Sequence, residues 1–275
     1  TNQICLADKK IYKLRSLTNT IKSPGLISGS ILSKKISEGI QGLVLDLKIG
    51  NGAFLENIEE AIELGSLMKK LISYFNIDIS INITDMNQPL GMNAGLWCEV
   101  EESIEFLKGN SPSDLKKLIY HLCNQAFIMR DGKENTKLIN NVIKTGKAYE
   151  KFNSFVMSQG GRINKTKHIP KYKKIIKSNK SGIIQKMNTY ILGLGLVELG
   201  SVKKYANSSL DFSSGMKLYK KTSDKVAKNE PLLEYFCSNK KNYENAQKFF
   251  ENSITINHQH CKKNPLIYNY GNKIL

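Results

Sequence analysis

The chain has 275 residues, of which 40% are hydrophobic, and a formal net charge of +17 at pH 7. This hydrophobic content excludes an intrinsically disordered chain, and no apolar run reaches the ~20 residues that a membrane-spanning helix needs. The length is sufficient for one large domain or two ordinary ones. No basic segment followed by an apolar stretch opens the chain, so we expect no secretory signal.

The positive charge raises the hypothesis of nucleic-acid binding. The lysines are scattered along the chain, however, and the densest basic run, Lys165–Lys180, has few aromatic residues on which bases could stack. We interpret that run as a linker. We therefore expect neither a nucleic-acid partner nor a membrane partner.

Cysteine usage indicates a reducing compartment. The five cysteines are odd in number and widely spaced, which favours reduced thiols in a cytoplasmic protein over a disulfide framework. The sequence His258-Gln259-His260-Cys261 could bind a metal, but no second ligand pair is evident. Surface sequence is the favoured interpretation there.

The first half of the chain reads as α/β. Residues 9–35 have mostly helical spacing, interrupted at Pro24-Gly25. An apolar run then meets a glycine turn, Gly50-Asn51-Gly52, and a helical pattern follows. A strand, a glycine loop and a helix in this order place a ligand at the carboxyl edge of a parallel sheet. The predicted elements are a strand at Leu43–Ile49, a helix at Asn57–Phe75, a strand at Asp78–Ile83 and a loop at Thr84–Gly91.

The pattern changes after the predicted linker. Helices are predicted before it at Val100–Lys108, Ser113–Met129, Thr136–Thr145 and Ala148–Ser158. Beyond it, short strands are predicted at Ser181–Ile184, Met216–Tyr219, Leu232–Phe236 and Ile254–Asn257, with helices at Ile191–Leu199 and Asn242–Phe250. We therefore predict an α/β lobe with a parallel sheet, followed near residue 168 by a β-rich α+β C-terminal domain.

Several motifs in order suggest a family. They are Asp8-Lys9-Lys10, YKLR at 12–15, SILSKK at 30–35, LVLDLKIGNGAF at 43–54, ITDMNQPLG at 83–91, SQGG at 158–161 and LVELG at 196–200. Together they resemble successive motifs of the thymidine and pyrimidine-nucleoside phosphorylases over nearly the whole chain. The resemblance implies reversible phosphorolysis of a pyrimidine nucleoside to free base and (deoxy)ribose 1-phosphate in nucleoside salvage. It also implies inorganic phosphate as co-substrate, no organic cofactor, and a homodimer.

The resemblance also implies a domain division and a base site. Residues 1–37 would be a remnant of a helical lobe, 38–168 the central α/β domain and 169–275 the C-terminal domain. The positions that hold the pyrimidine are matched by Arg15, Ser30 and Lys34. Arg and Lys can donate to ring carbonyls, and a Ser hydroxyl can donate or accept at the ring edge. Tyr12 and Phe54 match aromatic positions near the base, with a place in the core as the alternative for each.

A monovalent cation such as K⁺ is the further ligand that the resemblance implies. Its matching positions are Leu90, Asn93 and Glu102, although Glu102 also reads as a solvated carboxylate at a helix start. Lys48, inside the central strand, is interpreted as structural and paired with Asp46 or a neighbour.

The phosphate-binding loop of the family has no counterpart in these residues and would lie upstream of Thr1. No catalytic residue is therefore assigned within the chain. One expectation is that a partner chain or a longer gene product supplies that part. The alternative is a catalytically inactive truncated homologue or an interaction subunit.

Overall fold

The computed structural model describes residues 6–163, 168–204, 208–259, 261 and 263–268. The helices are α1 Leu6–Leu17, α2 Pro24–Ser37, α3 Ile58–Ser73, α4 Trp97–Leu107, α5 Ser113–Asp131, α6 Thr136–Lys144, α7 Lys147–Ser158, α8 Thr189–Leu199 and α9 Lys240–Glu251. The strands are β1 Gly42–Ile49, β2 Asp78–Asp85, β3 Asn93–Gly95, β4 Tyr172–Lys177, β5 Gly182–Met187, β6 Gly215–Leu218, β7 Lys225–Val226, β8 Pro231–Cys237, β9 Ile254–Asn257 and β10 Ile267–Tyr268. The predicted α/β fold is confirmed.

The first sheet has the order β1-β2-β10. Strands β1 and β2 are parallel, as predicted, and β10 pairs antiparallel with the far side of β2. Alternate residues of β1 point towards α3, whose apolar stripe completes the core of this lobe. Helix α3 begins after Asn57, whose side chain accepts a hydrogen bond from Glu60 N at 2.9 Å. The core residues of this cluster are Leu32, Leu47, Ile49, Ala61, Leu64, Met68, Ile72, Ile81 and Ile83.

Two antiparallel sheets, built from the C-terminal part except for β3, have the orders β3-β6-β8-β4 and β7-β5-β9. Helices α8 and α9 pack against each other, and α9 also contacts β4 and β8. Tyr235 and Phe250 stack at a centroid separation of 4.7 Å in the middle of this second core. Its larger members are Ile184, Met187, Leu192, Leu199, Met216, Leu233, Tyr235 and Phe250.

The prediction of a linker over residues 165–180 is wrong for Tyr172–Lys177, which form β4 at the edge of a sheet. Burial alternates along this strand, with Ile176 buried and its neighbours Ile175 and Lys177 exposed. Lysines suit an edge strand because their stems cover apolar surface while their charges stay in water and oppose edge-to-edge association. A lysine-rich edge strand has a sequence similar to that of a charged linker, so the pairing partner is needed to tell the two apart.

The domain boundary near residue 168 stays a prediction. Strands from its two sides pair with each other in two places. Strand β3 pairs with β6 of the C-terminal part. Strand β10 pairs back onto β2. Among the described residues, none of the helices is long and apolar enough to cross a membrane.

Candidate functional site

A cavity of about 1120 Å³ opens at the carboxyl ends of β1 and β2, the edge where the strand, glycine loop and helix pattern predicts a ligand. Its walls come from α1, α2, the loop after β1, the loop after β2 and the first turn of α8. The residues that line it include Tyr12, Arg15, Ser30, Asn51, Phe54 and Tyr190.

Arg15 is the charged group buried in this wall. Its side chain is only 4% exposed, and its guanidinium donates to Leu26 O at 3.3 Å and to Ile21 O at 2.5 Å. These two backbone carbonyls fix the plane of the group, while its Nε–H has no hydrogen-bond partner. A buried cation with an unused donor is costly unless a ligand accepts from it, so this wall is suited to an electron-rich acceptor.

Ser30 and Lys34 lie one helical turn apart on α2 and meet at the carboxylate of Asp8. Ser30 Oγ donates to Asp8 Oδ1 at 2.6 Å, and Lys34 Nζ donates to Asp8 Oδ2 at 3.0 Å and to Ser30 Oγ at 3.2 Å. The Ser30 bond and then the Lys34 bond hold the pKa of Asp8 below its ordinary value. Ser30 lines the cavity, whereas Lys34 is not among the residues that line it.

Three aromatic side chains border the cavity. The Arg15 guanidinium carbon lies 5.5 Å from the centre of the Tyr12 ring, a cation–π distance. Tyr12, Phe54 and Tyr190 are all substantially exposed, so none of them is a core residue. Exposed aromatic rings around one cavity indicate a planar, partly apolar ligand.

The glycine loop after β1 has a structural explanation. Gly50 has a φ of +118°, which a residue with a side chain rarely adopts. A Cβ on Gly52 would lie 2.6 Å from the side chain of Thr189 and 3.0 Å from Met86 O. The loop therefore packs directly onto the start of α8, and its glycines allow contact between two parts of the protein.

Lys48 is structural, as interpreted. Its ammonium lies 2.5 Å from Asp46 Oδ2 and donates to Thr84 Oγ1 at 3.0 Å. The Thr84 hydroxyl in turn donates to Asp46 Oδ1 at 2.5 Å. This triad joins β1 to β2 and compensates both charges, and Asp46 and Lys48 also line the cavity.

The candidate cation positions are Leu90, Asn93 and Glu102, and the last two are hydrogen-bonded to each other in the structure. Glu102 Oε1 accepts from Met92 N at 2.8 Å and from Asn93 Nδ2 at 3.0 Å, so it ties the loop to α4. The same loop is also approached by the Lys221 ammonium, which donates to Pro89 O and to Asp114 Oδ2. Burial lowers the pKa of Lys221. The binding of a monovalent cation there stays a prediction.

The sequence His258-Gln259-His260-Cys261 lies only partly within the described residues, since His260 is outside them. His258 is exposed, and Cys261 Sγ donates to Gln185 O at 3.3 Å. Among the described residues, no group of three or more His, Cys, Asp or Glu side chains is arranged to hold a metal.

The structure thus brings Tyr12, Arg15, Ser30 and Phe54 to one cavity, and Lys34, which does not line it, donates to Ser30. That these residues bind a pyrimidine stays a prediction. The sequence analysis did not predict a role in the site for three residues, which are Asp8, Asn51 and Tyr190. Of these, Asp8 was detectable, because it precedes Arg15 by two helical turns and so shares its face of α1.

Comparisons with known proteins place the chain in a class. Residues 183–257 match the family described as the pyrimidine nucleoside phosphorylase C-terminal domain. The chain is 36% identical over 240 residues to a thymidine phosphorylase of Metamycoplasma hominis, covering 84% of this chain and 88% of that protein. It is also 36% identical over 259 residues to pyrimidine-nucleoside phosphorylases of Staphylococcus aureus strains RF122 / ET3-1 and USA300, covering 91% of this chain.

The chain spans 60% of the length of those Staphylococcus aureus relatives. The match to the Metamycoplasma hominis protein extends over most of both chains, and the α+β C-terminal part is the portion that the family description covers. The chain therefore belongs to the thymidine and pyrimidine-nucleoside phosphorylase family, as its motifs indicate.

Proposed function

We propose that this chain holds the pyrimidine ring in a phosphorolysis reaction that converts thymidine- or uridine-type nucleosides to free base and (deoxy)ribose 1-phosphate. The observation that carries the proposal is Arg15, which is 4% exposed on the wall of the cavity with one N–H unused. The names of the relatives support the reaction class.

The arrangement suits the chemistry of a departing base. Cleavage of the glycosidic bond leaves negative charge on the pyrimidine, spread over its ring carbonyls. A buried guanidinium and a nearby ammonium stabilise that charge more than they stabilise the neutral substrate, and this difference raises the rate. Arg15 is fixed in advance by two backbone carbonyls, so no reorganisation is needed as charge develops.

In this proposal inorganic phosphate is the nucleophile, and its site is contributed by a partner chain or by a longer gene product. A homodimer, a cytoplasmic location and a K⁺ ion near Leu90, Asn93 and Glu102 belong to the same proposal. The retained base-site residues favour this function over that of an inactive homologue or an interaction subunit, because an interaction role does not require a buried cation in a cavity.

Calorimetric titration with thymine, uracil and adenine tests the base site on the full chain. We expect the two pyrimidines to bind and adenine to bind at least about tenfold more weakly, because a purine presents a different donor and acceptor pattern. Arg15→Ala should abolish measurable pyrimidine binding. Arg130→Ala is the matched control, since Arg130 is exposed and paired with Asp131.

Release of free base from thymidine and from uridine, with and without phosphate, tests the reaction. Phosphate-dependent release that Arg15→Ala eliminates would support the full proposal. Near-normal turnover by Arg15→Ala, or the absence of pyrimidine binding by the unaltered chain, would overturn it.

A further inference from the structure

One wall of the cavity belongs to the C-terminal part of the chain. Tyr190 is the second residue of α8 and lies within the region that matches the family's C-terminal domain. Its side chain is 63% exposed and lines the cavity together with Tyr12 and Phe54. A tyrosine ring so exposed gains little from the core, and it remains available to a ligand.

The backbone just before Tyr190 is fixed by Asn51. Thr189 N donates to Asn51 Oδ1 at 2.6 Å, and Asn51 Nδ2 donates to Met187 O at 3.2 Å. These two bonds bracket Asn188, the N-cap residue of α8. The first turn of the helix is thereby held against the glycine loop of the α/β lobe, and the direction of Tyr190 is set with it.

Asn51 is itself held in place from the α/β side. Its backbone N–H and its Nδ2 both donate to Asn87 Oδ1 at 3.0 Å, and Asn87 Nδ2 donates to Asp85 Oδ1 at 2.6 Å. This series of hydrogen bonds therefore connects the carboxyl end of β2, through Asn51, to the start of α8. Rigid support on both sides is what a positioning residue requires.

We propose that Tyr190 is a ring-contacting residue that the C-terminal domain contributes to the pyrimidine cavity, and that Asn51 is the residue that positions it. This inference rests on the proposed function, because the ligand is the same pyrimidine. It gives the C-terminal domain a direct part in substrate recognition, because the tyrosine ring supplies stacking area to the pyrimidine.

Titration of the full chain with thymine tests the role of Tyr190. Tyr190→Ala should weaken binding about fivefold or more, whereas Tyr190→Phe should stay within about twofold, because the ring and not the hydroxyl makes the contact. Tyr74→Ala is the matched control, since Tyr74 is an exposed tyrosine at the end of α3 and does not line the cavity. It should leave the affinity unchanged.

A double-mutant cycle tests the role of Asn51. Asn51→Ala should weaken thymine binding about as much as Tyr190→Ala, and the combined variant should be no weaker than Tyr190→Ala alone, because the two residues act through one contact. A purely structural loss would instead add to the loss from Tyr190. If Asn51→Ala does not fold, Asn51→Asp is used in the same cycle, because it removes the Nδ2 donor to Met187 O while it keeps the acceptor for Thr189 N.

The outcomes separate the two proposals. Thymine binding that requires Arg15 but is unchanged in Tyr190→Ala would overturn the role of Tyr190 and leave the proposed function standing. Additive losses would overturn the role of Asn51. Failure of the unaltered chain to bind thymine would overturn the proposed function and this inference with it.

Discussion

The ammonium of Lys34 lies 3.0 Å from the carboxylate of Asp8 and joins the last turn of α2 to the first turn of α1. Asp8 also accepts from Ser30, so one carboxylate orients both the Ser30 hydroxyl and the Lys34 ammonium. A pyrimidine that accepts from these donors competes with Asp8. Ser30 and Lys34 are therefore held in one arrangement before any ligand enters.

Asp8→Asn should remove a pH-dependent part of the stability. The folded-state pKa of Asp8 is lowered, first by the Ser30 bond and then by Lys34, so its contribution is present above the unfolded value of about 3.9 and is lost as pH falls through the folded pKa. The pair is partly exposed, so the effect is at most about 1 kcal/mol. Urea unfolding at about pH 6 and about pH 2.5 should show a difference between the proteins that disappears in acid. A difference of equal size at both values would contradict this assignment.

Thr84→Val should destabilise the protein by about 1–3 kcal/mol, because the buried hydroxyl bridges Asp46 and Lys48 and its loss leaves both incompletely paired. Thr84→Ser keeps the hydroxyl and is the matched variant, with a smaller loss. Thermal unfolding of the three proteins measures the difference. Equal melting temperatures for the Val and Ser variants would show that the hydroxyl contributes nothing to stability.

Two glycines of α8 should respond in opposite directions to alanine. A Cβ on Gly195 would lie 2.8 Å from a ring carbon of Phe250, so Gly195→Ala should cost about 1–3 kcal/mol through overpacking. A Cβ on Gly193 meets no atom within 4 Å, so Gly193→Ala should stabilise the helix by about 0.5–1 kcal/mol. Chemical denaturation of both variants provides the comparison. Stabilisation by Gly195→Ala would mean that α8 and α9 are packed less closely than described.

The thiols of Cys98 and Cys237 should resist alkylation in the folded protein. Burial raises the pKa of Cys98 to about 12 and that of Cys237 to about 11, so almost no thiolate is present at neutral pH. Iodoacetamide labelling followed by mass spectrometry should modify Cys123, which is less buried, before either of them. In urea the three should react alike. Rapid labelling of Cys98 in the native state would refute its burial.

The elements around the cavity were predictable because their patterns are local. The apolar run of β1, its glycine turn and the broad stripe of α3 each lie within one window of sequence, and all three are observed. The face of α1 and α2 that carries Arg15 and Ser30 was predictable from the resemblance to the family. Their approach to one cavity follows from short connections between neighbouring elements.

Contacts between distant parts of the chain were not predictable in this way. Asn51 and Thr189 lie 138 positions apart, and neither residue type by itself indicates a partner. The edge strand β4 was missed because its pairing with β8 depends on a sheet that the sequence does not display locally. Lys34 was predicted to hold the pyrimidine together with Ser30, but only the structure shows that both donate to Asp8.

The pairing of β10 with β2 has a consequence for biosynthesis. Ile267 and Tyr268 lie opposite Thr84 and Ile83, so this side of β2 is left without its partner strand on the ribosome until residues 267–268 have been translated. Strands β1 and β2 are translated long before the third strand of their sheet. The sheet therefore carries an open edge until residues 267–268 emerge, which makes the nascent polypeptide dependent on those residues for protection against association with other chains.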